Sequence, residues 1–359
     1  MKINPNNTEL TCEKLFKFLR SKNHPLVIIS KLPKRPYLHL IKFLQQLKAP
    51  IYIESLSNIR ENEDLNFLKI KMPQLLWKNS VENKLNFDCV LKIGETPTHR
   101  IWRDLDEKYT DLPIFSLSNL QFSGNPRATH ETVSNIDDFF SYFNNSFTHN
   151  LNTYCEQITQ FLNADQNSFL RMNEILEKHP HSEQKLFRDI SEKIQANSHV
   201  YIGNSSPIRH WDHFCSYENK NFYIEASRGL NGIDGQLSTF FGFASEKAKS
   251  NWGIFGDLTT LYDMAGPFIL SGRNELIVNI CIINNGGGRI FDKVLSGPGA
   301  DFCQNYHSLN FEYFAKLWGL NYEKSNCLSE IDPVSKDSRI IEIVTNHEET
   351  RTVDKEILS

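Results

Sequence analysis

Four short apolar runs in the second half of the chain each stop at a polar turn that contains glycine or leads into one. His199-Val-Tyr-Ile202 runs into Gly203-Asn204-Ser205-Ser206-Pro207-Ile208-Arg209, and Phe222-Tyr-Ile-Glu225 into Ser227-Arg228-Gly229-Leu230-Asn231-Gly232-Ile233-Asp234-Gly235. Trp252-Gly-Ile-Phe255 runs into Gly256-Asp257-Leu258, and the stretch Leu276 to Ile283 into Asn284-Asn285-Gly286-Gly287-Gly288. Runs this short and this apolar suit strands buried on both faces. Stretches of helical spacing, Gln236 to Lys247 and Thr260 to Leu270, lie between them, and Arg339 to Val344 adds a further strand. Strand and helix alternation predicts a parallel sheet with crossover helices. Open parallel sheets bind ligands in the crevice outside the carboxyl ends of their strands. One glycine-bearing turn is a weak signal, whereas four in register predict one crevice.

The first half repeats the alternation with less polar chemistry. A helix near Glu9 to Leu19 precedes a strand at Leu26 to Ile29, a helix at about Pro36 to Gln46 and a strand at Ile51 to Ile53. Phe87 to Ile93 and Ile114 to Leu117 are further strands. Residues 145–196 are rich in Glu, Gln, Lys, Leu and Phe at helical spacing, and Pro180 divides them into at least two helices. The predicted fold class is α/β, with two parallel-sheet, Rossmann-like domains. The expected organisation is a first domain over 1–145, a helical connection over 146–196, a second domain over 197–347 and a tail over 348–359. A chain of 359 residues, 40% of them hydrophobic, can bury two cores.

Composition narrows the function classes. A formal charge of -4 gives no basic excess for nucleic acid. No apolar run approaches the roughly 20 residues that span a bilayer. The seven cysteines are scattered without a C-x-x-C pair, which argues against a zinc site or a disulfide framework and for a reducing, cytoplasmic setting. His210-Trp211-Asp212-His213 places two histidines three apart, but without a third ligand nearby it reads as a partly exposed helix start.

Gly256-Asp257 and Asn284-Asn285 ask for a joint explanation. A hard cation such as magnesium takes oxygen ligands: a carboxylate, an amide carbonyl and a backbone carbonyl, completed by phosphate. Asp257 and an asparagine would supply the first two from the ends of adjacent strands, and a glycine can turn its carbonyl inward. The plain alternative is a helix-capping aspartate and a turn-forming asparagine pair.

Gly256-Asp257, then Asn284-Asn285 with residues 258–283 between, resembles the thiamine-diphosphate fingerprint of the pyruvate-decarboxylase-like enzymes. Leu258 in the third place, Asn204-Ser205-x-x-x-Arg209, Arg228-Gly229-x-x-Gly232-Ile233-Asp234-Gly235, Asp263, the pattern Asn284 to Phe291 and the stretch Phe311 to Gly319 narrow it. Over about 198–347 they resemble the 2-succinyl-5-enolpyruvyl-6-hydroxy-3-cyclohexene-1-carboxylate synthases. The first half resembles the middle domain of that family more weakly, through Phe87 to Gly94 and Pro97-Thr98-His99-Arg100.

The resemblance implies thiamine diphosphate and Mg2+ as cofactors, with magnesium on Asp257, Asn285 and the Gly287 carbonyl. It implies a cofactor site of Gly256, Asp257, Leu258, Ile233, Asn285, Gly287 and Phe291. In this family Ile233 would prop the cofactor in its bent shape and Phe291 would line the pocket; on the residues alone both are equally plain core residues. The implied reaction, in menaquinone biosynthesis, decarboxylates 2-oxoglutarate and joins the remaining succinyl unit to isochorismate. Both substrates are dianions, so Arg209 and Arg228, with Asn204 and Ser205, are candidate substrate residues; structural salt bridges are the alternative use of the arginines. Arg100 is either a further carboxylate ligand or a solvated loop arginine. Asn231 and Arg289 stand where the family more often has other residues. No residue here matches the glutamate that activates the cofactor, which the family carries on a first, pyrimidine-binding domain. The expectation is therefore the diphosphate-binding subunit of an oligomer in which a separate chain supplies that domain, or a truncated form of the synthase, with this chain inactive alone. The alternative is a degenerate, non-catalytic thiamine-diphosphate-binding or regulatory protein.

Overall fold

The computed structural model of the chain describes residues 5–147, 151, 153–228, 231–273, 275–293, 295 and 299–358. It divides into two compact units, residues 1–171 and 172–359.

The first unit holds α1 (Pro5–Leu19), β1 (Pro25–Ile29), α2 (Leu38–Leu47), β2 (Ile51–Ile53), α3 (Leu76–Glu82), β3 (Cys89–Ile93), α4 (Arg100–Glu107), β4 (Ile114–Ser118), β5 (Thr129–Thr132) and α5 (Ile136–Ser146). Its strands run in the order β2-β1-β3-β4-β5, all parallel. Successive strand side chains point to opposite faces, so each face collects alternate residues. Val27, Ile29, Leu91, Ile93, Phe115 and Leu117 pack with α1, α2 and α5. Leu26, Ile28, Val90 and Ile114 pack with Leu76, Ile101, Trp102 and Leu105, and with Ile158 and Phe161 of α6 (Glu156–Lys178).

The second unit continues with α7 (Glu183–Lys193), β6 (His199–Ile202), α8 (Ser206–Phe214), β7 (Tyr223–Glu225), α9 (Gln236–Phe243), β8 (Asn251–Gly256), α10 (Asp257–Leu261), β9 (Asn279–Asn284), α11 (Ala300–Gln304), α12 (Glu312–Leu317), β10 (Asn321–Ser325), β11 (Arg339–Val344) and α13 (His347–Leu358). The strand order is β10-β11-β9-β8-β6-β7, again all parallel. Tyr201, Phe255, Ile280, Ile282 and Ile340 bury one face against Leu237, Phe240 and Phe241 of α9 and Phe314 of α12. Val200, Ile202, Ile254, Cys281, Ile341 and Ile343, their alternates, are also buried. α8 packs on β6 and β8, with α7 beside it and α13 against α7.

Three details depart from the sequence expectation. The helix read over Thr260 to Leu270 is α10, which ends at Leu261, followed by a separate 3-10 turn at Gly266–Gly272 that holds Pro267 in its first turn, where the missing N–H is harmless. The tail is helix α13, tied down by buried Val353 and Ile357. His210 is not on a partly exposed helix start; it lies mid-helix in α8, buried, with its ring against Phe187 and Phe214. No helix among the described residues is long and apolar enough to cross a membrane.

Candidate functional site

The four polar turns follow β6, β7, β8 and β9, which are contiguous and parallel, so all four leave the same edge of the second sheet. Asp257 and Asn284 mark the ends of neighbouring strands.

Asp257 is 1% exposed. Its Oδ2 accepts the N–H groups of Gly286 (2.8 Å) and Gly287 (3.0 Å), and its Oδ1 accepts that of Leu258 (2.6 Å). The turn after β9 is thereby wrapped around the carboxylate at the start of α10. Gly287 has φ +136°, and a Cβ there would stand 2.7 Å from the Gln304 carbonyl oxygen, so only glycine fits. His307 Nε2 lies 3.4 Å from Asp257 Oδ2, while its Nδ1 accepts the Leu309 N–H. Burial pushes the Asp257 carboxyl above the usual carboxylate range, against the pull of Leu258 N–H, His307 and the two glycine N–H groups.

Asn285 completes this corner. Its Nδ2 donates to Glu183 Oε1 at 2.8 Å. Its Oδ1 is buried and has no hydrogen-bond partner among the described residues. An orphaned buried carbonyl oxygen is costly unless something else is meant to fill it. The Gly287 carbonyl accepts one N–H, from Arg289 at 2.9 Å, which leaves a second lone pair. Among the described residues no group of three or more His, Cys, Asp or Glu side chains is arranged to hold a metal. The donors at this corner are instead one carboxylate and neutral oxygens, the set a hard divalent cation shares with phosphate.

A second cluster sits at the ends of β6 and β7. Asn204 is 1% exposed and fully engaged. Its N–H donates to Gln236 Oε1 (2.9 Å), and its Nδ2 donates to the carbonyls of Ser227 (2.6 Å) and Gly232 (2.7 Å). Its Oδ1 accepts from Arg228 Nη1 at 2.5 Å. Asn204 is thus a latch joining the turns after β6 and β7 to the start of α9. Ser205 takes φ 72° as the chain enters α8, and its carbonyl accepts Arg209 Nη1 at 2.5 Å. Ile233 is half-buried, Phe291 is 37% exposed, and Gly256 and Leu258 flank Asp257. Gly229 and Leu230 of the loop after β7 lie outside the described residues. Arg100 belongs to the first unit, where it opens α4 and pairs with Asp104 at 3.2 Å.

Sequence reasoning missed Glu183, Gln236 and His307. None sits in a motif, and each meets the site only through tertiary contact. Gln236 directly follows Gly235, at the first position of α9, which is the one local hint.

No family model matches the chain, but curated proteins do. A 2-succinyl-5-enolpyruvyl-6-hydroxy-3-cyclohexene-1-carboxylate synthase from Bdellovibrio bacteriovorus is 36% identical over 334 residues, 92% of this chain and 61% of that protein. The chain is a homologue of these synthases. A synthase of the same name from Akkermansia muciniphila is 28% identical, covering 86% of this chain and 57% of its own length. One from Staphylococcus aureus is 27% identical, covering 97% and 62%. The chain therefore spans about three-fifths of the length of the relatives it matches.

Proposed function

We propose that the second unit holds the diphosphate of thiamine diphosphate through Mg2+ bound by Asp257, Asn285 and the Gly287 carbonyl. On this reading the chain is the diphosphate-binding part of a synthase that decarboxylates 2-oxoglutarate and joins the succinyl unit to isochorismate in menaquinone biosynthesis. The observation that carries it is the buried Asn285 Oδ1 without a partner among the described residues, beside a glycine turn wrapped on Asp257. The homology to the synthases supports the choice of cofactor and substrates. When bound, thiamine diphosphate supplies the nucleophilic carbon and the sink for the charge left by departing carbon dioxide.

The chain's own residues divide the remaining work. Asp257 brings the one full negative charge to the cation, and its burial keeps that charge from being screened by water. Arg209 and Arg228 bring positive charge to the same sheet edge, suited to substrate carboxylates. Asn204 holds the turn that carries Arg228. Gly256, Leu258, Ile233 and Phe291 are assigned to the cofactor's body, and Ser205 to substrate.

Calorimetric titration of Mg2+ into the chain with thiamine diphosphate tests the site. Binding is expected for the unaltered chain and its loss for Asp257→Ala. Equally tight binding by Asp257→Ala would remove the assignment.

A further inference from the structure

We propose that Glu183 is a positioning residue that fixes the amide of Asn285 so that its carbonyl oxygen, and not its NH2, faces the cation; this rests on the cofactor reading above. An asparagine amide has two nearly isosteric ends, and only the oxygen can ligate a hard cation. Something must therefore decide which end turns inward. Glu183 Oε1, 2.8 Å from Asn285 Nδ2, is that decision: a carboxylate oxygen accepts, so the end that meets it is the NH2. The consequence is visible at the other end, where Oδ1 is buried with no partner among the described residues.

Glu183 is itself held from several sides. It is 3% exposed, at the first position of α7, where the Ser182 side chain accepts the Lys185 N–H as N-cap. Its backbone N–H donates to Thr350 Oγ1 of α13 at 3.0 Å. Its second oxygen, Oε2, lies 3.4 Å from Nδ1 of His210, the histidine buried in α8. The line from His210 through Glu183 to Asn285 thus ties the consecutive helices α7 and α8 to the turn after β9, which is far from both in sequence. The His210-Trp211-Asp212-His213 segment thus sets His210 against the outer oxygen of Glu183. Partners one step out from a cation commonly matter almost as much as the ligands.

The test is the affinity of the full chain for Mn2+ with thiamine diphosphate, read by electron paramagnetic resonance, alongside the thermal midpoint without cofactor. Glu183→Leu is expected to weaken Mn2+ binding roughly 10–100-fold. Glu183→Gln is expected to bind nearly as the unaltered chain, because an amide oxygen can still accept from Asn285. A second arm works if Glu183→Leu does not fold. Asn285→Asp alone sets two carboxylates face to face and should bind Mn2+ poorly. Combined with Glu183→Gln, the donor and acceptor are exchanged and binding should recover, a coupling that a double-mutant cycle measures. Unchanged affinity in folded Glu183→Leu, or no recovery in the exchanged pair, overturns the positioning role while leaving the cofactor site standing. No Mn2+ binding by the unaltered chain overturns both.

Discussion

Asp165 shows how one buried carboxylate sets a pH dependence. It is 1% exposed, and its oxygens accept the N–H groups of Lys71 (2.7 Å) and Met72 (3.1 Å). Burial pushes its carboxyl up to about 6, against the pull of those two donors. In the unfolded chain it titrates near about 4. Between those values the folded state holds a proton that the unfolded state has released, so stability falls as pH rises through that window. Above it, the cost is fully present, on the order of 2–3 kcal/mol. Asp165→Asn keeps an acceptor oxygen and removes the titration. The difference in urea stability between the two proteins should therefore shift in favour of the variant from about pH 4 to about pH 6.5; a flat difference would contradict the sign.

α13 does more than close the chain. Thr350 takes the Glu183 N–H, the Thr350 carbonyl and Asp354 Oδ1 take Gln184 Nε2, and the Asn346 N–H bonds the His181 carbonyl. Val353 and Ile357 are buried beside them. Ending the chain at Asn346 should cost at least about 3 kcal/mol in urea unfolding, from two buried aliphatic side chains alone. Fraying without loss of stability would show that the helix is merely appended. The strands that were legible in the sequence, such as Ile51–Ile53, His199–Ile202 and Arg339–Val344, are apolar because neighbours cover both their faces. β5 (Thr129–Thr132) and β10 (Asn321–Ser325) were not, since each is largely polar and owes its shape to backbone pairing with β4 or β11. The same division runs through the site. Asp257 and Asn285 announce themselves by spacing, but Glu183 meets Asn285 across 102 residues of sequence, and no local pattern records that contact.

At the scale of the whole molecule, the homology extends along 92% of the chain but 61% of the Bdellovibrio bacteriovorus synthase. Under the proposed function, the chain alone should release negligible carbon dioxide from 2-oxoglutarate in the presence of isochorismate, and a separately supplied pyrimidine-binding domain should restore release. Full release by the chain alone would require an activating acid within these residues. In the restored enzyme, Arg209→Ala should lower kcat/KM roughly tenfold or more with cofactor affinity little changed, as expected for a lost charged hydrogen bond. Arg228→Ala is the less clean variant, because it also releases Asn204. The strand order adds a consequence for how such a site can fail. The turns proposed to grip the diphosphate follow β8 and β9, which are paired on both sides, whereas Arg228 follows β7, a three-residue strand paired on one side only. On the proposed reading the cofactor anchor is therefore braced by neighbours on both sides, whereas the loop carrying Arg228 leans on the one side chain of Asn204, so damage at Asn204 would reach the substrate side before the cofactor.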